Sequence, residues 1–123
     1  MSTVVQGEGL VGLTEIESAA RRLQGVAVRT PLLPVDTISE SVDAQVRIKC
    51  ESVQRAGSFK IRGAFNFVSQ LSDEQVAAGV ITYSSGNHAQ AVALAASLLE
   101  IPAVIIMPDN APRVKLEAPR SYL

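Results

Sequence analysis

The chain has 123 residues, 47 % of them hydrophobic, with 11 basic and 12 acidic side chains and a formal net charge of -1. A globular chain of this length can bury roughly two thirds of the surface its unfolded form exposes, so a packed core is expected rather than disorder. No basic stripe is present, which argues against a nucleic-acid partner. The most apolar stretch, Ala89 to Met107, is broken by Gln90, Ser97, Glu100 and Pro102, so no membrane span is expected. Cys50 is the single cysteine and has no metal-ligating neighbours at useful spacing; a reducing, cytoplasmic setting fits. Met1 to Gly12 carries three glycines and lacks the basic start and apolar core of a signal peptide. It reads as a loose arm.

Thr14 followed by Glu17 has the pattern of a capping box and predicts a helix from Glu15 to about Leu23, ended by Gly25. Its apolar face would be Ile16, Ala19, Ala20 and Leu23. Arg29 to Pro34 is expected to be extended, because proline disfavours helix in the residue before it. Val46 to Cys50 alternates as a strand with one buried face would. Glu51 to Gly57 reads as a loop. Ser58 then caps a helix to about Leu71 with Ile61, Ala64, Phe65 and Val68 buried. Ser72 opens a short helix closed near Gly79. Val80 to Tyr83 is a strand, Ser84-Ser85-Gly86 a turn, and Asn87 or His88 starts a helix to about Leu99. That helix has Ala89, Val92, Ala93, Ala96 and Leu99 on one face. Ala103 to Met107 is continuously apolar, as in a strand buried on both faces. Pro112 to about Ala118 starts a last helix, which Pro119 is expected to stop. From Val80 onward the order strand, helix, strand, helix predicts a βαβ unit with a parallel sheet.

Two segments carry candidate chemistry. In Ser58-Phe59-Lys60, the lysine falls in the first turn of its helix. The helix dipole disfavours a cation there by about 0.3–1 kcal/mol and favours the neutral amine, the form that attacks an aldehyde. An ordinary surface lysine fits the same placement. In Ser84-Ser85-Gly86-Asn87-His88, a turn leads from a strand into a helix. Backbone N–H groups at such a turn can form an anion nest, and two hydroxyls and an amide add neutral hydrogen bonds suited to a carboxylate. A glycine turn with an Asn cap fits equally. His88 is the only histidine, so neither a Ser-His-Asp triad nor a histidine-based metal site is supported. There is no G-x-G-x-x-G and no P-loop lysine, which leaves a nucleotide-binding reading weak.

Taken together the segments are specific. Glu51-Ser52-Val53-Gln54-Arg55-Ala56-Gly57-Ser58-Phe59-Lys60-Ile61-Arg62-Gly63-Ala64 resembles the Schiff-base lysine segment of the pyridoxal-phosphate-dependent threonine/serine dehydratases and serine racemases. Ser84-Ser85-Gly86-Asn87-His88-Ala89-Gln90 resembles their substrate loop, and Ile101 to Pro108 matches as well. The similarity runs from about Ile16 to Ala118. The paired serines at 84 and 85 look most like the racemases and hydroxyaspartate dehydratases. Many threonine dehydratases have alanine at the position of Ser85.

The resemblance implies an α/β fold of the tryptophan synthase β-like type, a parallel sheet with flanking helices, incomplete in this chain. Residues 1–75 would belong to a larger cofactor-binding domain and 76–123 to the first half of a smaller α/β domain. It implies that Lys60 holds pyridoxal 5'-phosphate as a Schiff base and exchanges the Cα proton. Phe59 would pack on the cofactor ring and Asn87 would bond its phenolic oxygen. Ser84, Ser85, Asn87 and His88 would surround the substrate carboxylate, with Ser85 facing Cα opposite the lysine. Arg62 reads as a structural helix residue. The partner is a small β-hydroxy amino acid, and the full-length family implies a homo-oligomer.

In the family the glycine-rich phosphate loop, the contact to the pyridine nitrogen and the acidic residues of a divalent-metal site all lie beyond the position of Leu123. A chain without them is expected to be inactive alone and open to aggregation at unpaired strand edges. A frameshift, a premature stop or a clipped sequence would each produce this ending. The alternative reading is a non-catalytic fragment or interaction module.

Overall fold

The computed structural model describes residues 10–111 and 113–122. Most of the expected arm, Met1 to Gly12, and Pro112 lie outside the described residues. Helix α1 spans Leu13–Arg22. It opens earlier than the Thr14–Glu17 pattern implied, because Glu15 reaches back to accept the Gly12 N–H at 3.0 Å. Glycine is an acceptable N-cap, and the acidic side chain supplies the reciprocal contact. Gly25 lies two residues past the C-cap Leu23 with φ +75°, the left-handed conformation that only glycine adopts cheaply.

Strands β1 (Leu32–Pro34) and β2 (Arg47–Lys49) form an antiparallel pair with Leu33 opposite Ile48. The buried face expected for residues 46–50 is not found: Arg47, Ile48 and Lys49 are all exposed, because no described layer packs on this pair. Between the strands lies α2 (Asp36–Val42), a helix the sequence did not suggest. Its β-branched and serine-rich composition has weak helix propensity. A local side-chain bridge supports it instead, with Ser39 Oγ donating to the Val35 carbonyl at 2.7 Å and accepting the Val46 N–H at 3.0 Å.

Two 3-10 turns, Glu51–Val53 and Arg55–Gly57, lead into α3 (Lys60–Val68). Helix α4 (Asp73–Ala78) carries a full capping box, Ser72 with Gln75. Strand β3 (Val80–Tyr83), helix α5 (Asn87–Leu98) and strand β4 (Ala103–Ile106) complete the expected βαβ unit, with β3 and β4 parallel and Val80 in register with Ala103. Gly79 enters β3 at φ +80°, and a Cβ there would stand 2.6 Å from the Pro102 carbonyl oxygen. Helix α6 runs Arg113–Arg120 and contains Pro119, which therefore does not stop it. The proline gives up only its own N–H bond to the carbonyl four residues earlier, and so near the helix end little helix remains to be disrupted.

The core forms where α3 meets α5. Ile61, Ala64, Phe65 and Val68 pack with Ala91, Val92, Ala95 and Ile101. The four α3 residues are those predicted from helical spacing. On α5, Ala91 and Ala95 are buried in addition to the expected face, because the helix is sandwiched between α3 and the sheet. Small side chains permit that approach on both sides, and each fully buried Val, Ile or Phe contributes about 1.5–3 kcal/mol. This contact joins residues on either side of position 75. The sheet is covered on one face only. Val104 and Ile106 are exposed, so β4 is not buried on both faces among the described residues. Ile81 and Tyr83 of β3 point the same way.

Candidate active site

Lys60 is the first residue of α3 and is exposed. Its amine lies 4.9 Å from the centroid of the Phe59 ring, a cation–π contact. At an exposed site this is worth about 0.5–1 kcal/mol, small enough to be given up when the amine reacts. Lys60 has no acidic partner within ion-pair distance among the described residues. A cleft of about 270 Å³ is lined by Phe59, Lys60, Arg62, Gly63, Ala64 and His88. Helices α3 and α5 pack against each other, and the cleft lining brings Lys60 in the first turn of α3 together with His88 in the first turn of α5. Two segments 28 positions apart in sequence, at Lys60 and His88, thus meet at one opening.

Ser84, Ser85 and Asn87 do not line this cleft; they form the turn that leads to it. Ser84 Oγ accepts the Gly86 N–H at 3.2 Å, and Gly86 is the N-cap of α5. One N–H of the expected nest is therefore turned to a side chain, while those of Asn87, His88 and Ala89 precede the first helical donor, the Gln90 N–H, and have no acceptor within the helix. Asn87 and His88 are exposed, and Ser84 and Ser85 are half-buried.

The segment before Lys60 is held differently. Gln54 is only 4 % exposed. Its carboxamide donates to the Val28 carbonyl and accepts the Val28 N–H, both at 2.8 Å, as a strand's peptide group would. Thr30 donates its hydroxyl to Glu51 Oε1 at 2.6 Å. Arg62 grips the same carboxylate with Nε and Nη2, each at 2.8 Å. The Arg62 guanidinium, helped by Thr30 and opposed by partial burial, lowers the Glu51 carboxyl from 4.5 to about 2. Arg62, read from the resemblance as a structural helix residue, is thus tied to Glu51. Glu51, Gln54 and Thr30 carry no local sequence signal for these contacts. Ala56 sits at φ +58°, ψ +21°, a left-handed conformation costing a non-glycine residue about 1–2 kcal/mol.

This donor set suits a cofactor that presents an aldehyde. A primary amine lines a cleft without an acidic partner among the described residues, beside an aromatic ring and sharing the cleft with His88. No three acidic, histidine or cysteine residues gather as a metal site among the described residues. No described helix is long and apolar enough to cross a membrane.

The chain is similar to known proteins over most of its length. The chain is 53 % identical over 108 residues to an L-threo-3-hydroxyaspartate ammonia-lyase of a Pseudomonas species, covering 88 % of this chain and 34 % of that protein. It is 49 % identical over 108 residues to a serine racemase of Schizosaccharomyces pombe, covering 88 % of this chain and 33 % of that protein. The structure of maize serine racemase superposes with a TM-score of 0.83 at 47 % identity, covering 91 % of this chain and 34 % of that one. The chain therefore spans about a third of the length of these relatives. Its fold is that of these α/β enzymes. Residues 23–122 match the family described as "Pyridoxal-phosphate dependent enzyme", and the chain belongs to that family.

Proposed function

We propose that this chain supplies the cofactor-bearing lysine and the substrate loop of a threonine/serine ammonia-lyase (dehydratase) or serine racemase that acts on small β-hydroxy amino acids. The observation that carries the reading is the shared cleft of Lys60 and His88, which lie in the first turns of α3 and α5. Lys60, Phe59 and Asn87 would hold pyridoxal phosphate. When bound, it supplies an electron sink for charge developing at Cα. The Lys60 amine removes the Cα proton from one face. Ser84, Ser85, Asn87 and His88 hold the carboxylate through neutral hydrogen bonds. Departure of the β-hydroxyl after proton removal gives the lyase outcome; delivery of a proton from the Ser85 side gives racemisation. The same proposal assigns residues 1–75 to a larger domain and 76–123 to a smaller one. It assigns any divalent metal to residues outside this chain, and it describes a cytoplasmic homo-oligomer.

The test uses the full-length protein and L-serine, measuring D-serine and pyruvate in one preparation. Lys60→Ala is expected to abolish both products. Ser85→Ala is expected to lower racemisation about a hundredfold, within the range of a lost acid–base group, while dehydration stays measurable. Equal losses in both products would assign Ser85 to carboxylate binding alone.

A further inference from the structure

Helix α3 begins at Lys60 with little local support. Phe59, at the cap position, makes no side-chain capping bond. The nearest substitute is the Lys60 N–H to Ser58 Oγ contact, which is long at 3.4 Å. A helix start of this kind frays unless something else holds it. Long-range contacts supply the hold. Arg62, two residues beyond Lys60 on the same turn, grips Glu51 with both arms of its fork at 2.8 Å. Glu51 is tied in turn to Thr30. The Arg62 guanidinium also reaches the Val28 carbonyl at 3.3 Å, which Gln54 bonds from its other side. Segments 28–30 and 51–54 and the first turn of α3 are thereby closed into one ring of hydrogen bonds. A two-point fork restrains angle as well as distance, which a single ammonium contact does not.

We propose that the Glu51–Arg62 fork is a positioning element for Lys60, orienting the first turn of α3 so that the amine faces the cleft it shares with His88. The inference rests on the reading of Lys60 as the cofactor-bearing residue. The fork does not touch the amine; it acts through the backbone from which the amine projects.

Glu51→Gln keeps the size of the side chain and an acceptor for Thr30 but removes the charged fork. Arg62→Lys keeps the charge and removes the fork. Both are made in the full-length protein, stripped of cofactor and mixed with pyridoxal 5'-phosphate. The Lys60 amine then adds to the aldehyde carbon and one water leaves, a step followed by absorbance. Borohydride delivers hydride to the C=N carbon, and peptide mapping locates the resulting secondary amine. In both variants the expected result is imine formation at Lys60 slowed about tenfold or more, as for a small misplacement of a reacting group. The pH midpoint of the imine absorbance should shift, while a cooperative thermal transition is retained. A folded variant with wild-type rate and pH midpoint overturns the proposal. So does loss of cooperative melting in both variants, which would make the pair a folding requirement only. Lys60→Ala separates the two levels. If it abolishes trapping while Glu51→Gln leaves the rate unchanged, positioning alone fails. If Lys60→Ala still traps cofactor at wild-type level, the reading of Lys60 fails and the proposal falls with it.

Discussion

The two segments that meet at the cleft are held in opposite ways. Around Lys60 the polar side chains are spent on the protein itself: Gln54 on Val28, and Glu51 on Thr30 and Arg62. Around Gly86 one hydroxyl bonds one backbone N–H, and Asn87 and His88 remain exposed. If Lys60 is the reactive amine, as proposed, it is useful only in a defined place, which accords with surroundings held by several bonds and a left-handed Ala56. The proposed carboxylate-binding role of the second segment would need donors that are not already committed. The difference is a division of labour between a clasped segment and an open one.

The largest expected effect tests that division directly. Gln54→Ala in the full-length protein strands the Val28 N–H, removes one of two donors to the Val28 carbonyl, and should cost about 2 kcal/mol. Ser84→Ala removes one bond at a half-buried turn and should cost less than about 1 kcal/mol. Urea melts with unchanged m-values read both. If Ser84→Ala proves as costly as Gln54→Ala, the open segment is as tightly held as the clasped one and the comparison is wrong.

Acid sharpens the same contrast. Glu51 is lowered from 4.5 to about 2 in the fold, chiefly by Arg62. A carboxyl depressed by folding contributes stability that is fully present above its ordinary pKa and is lost as pH falls through the folded value. Stability should therefore decline between about pH 4.5 and pH 2, and Glu51→Gln should flatten that part of the profile. The check is the urea midpoint as a function of pH for both proteins. An unchanged slope in the variant would mean that the fork contributes little.

The smallest effect concerns Ala56. With φ at +58°, Ala56→Gly relieves left-handed strain but adds freedom to the unfolded chain. The balance should be a gain of about 0.5 kcal/mol, visible as a slightly higher urea midpoint. A loss of stability would mean that the clasp carries no strain at this residue.

Several features were legible in the order of residues because their causes are local. The buried face of α3 follows from the spacing of Ile61, Ala64, Phe65 and Val68, and the start of α4 from Ser72 and Gln75. The β3–α5–β4 unit follows from an apolar run, a serine–glycine turn and a second apolar run. Lys60 in the first turn of its helix and the polar turn before α5 were likewise readable, although the cap is Phe59 and not the expected Ser58. The family follows from those two motifs together, and the match over residues 23–122 agrees.

Other features depended on partners far away in the chain. The Gln54 clasp joins residues 26 apart, and the Arg62 contact with the Val28 carbonyl joins residues 34 apart. No window of sequence contains both ends of such a bond. Helix α2 forms against its propensity because Ser39 meets Val46 across a turn. Ala91 and Ala95 are buried because α5 has neighbours on two sides, whereas a helical period describes only one. Val104 is exposed although its strand is uniformly apolar, because composition cannot say which faces of a sheet are covered. Sequence alone thus determined the local periods, the capping box of α4 and the chemistry-bearing residue types. Tertiary structure decided which polar side chains were consumed in holding Lys60 and which were left exposed beside it, since burial and hydrogen-bond satisfaction are set by whatever the fold brings alongside.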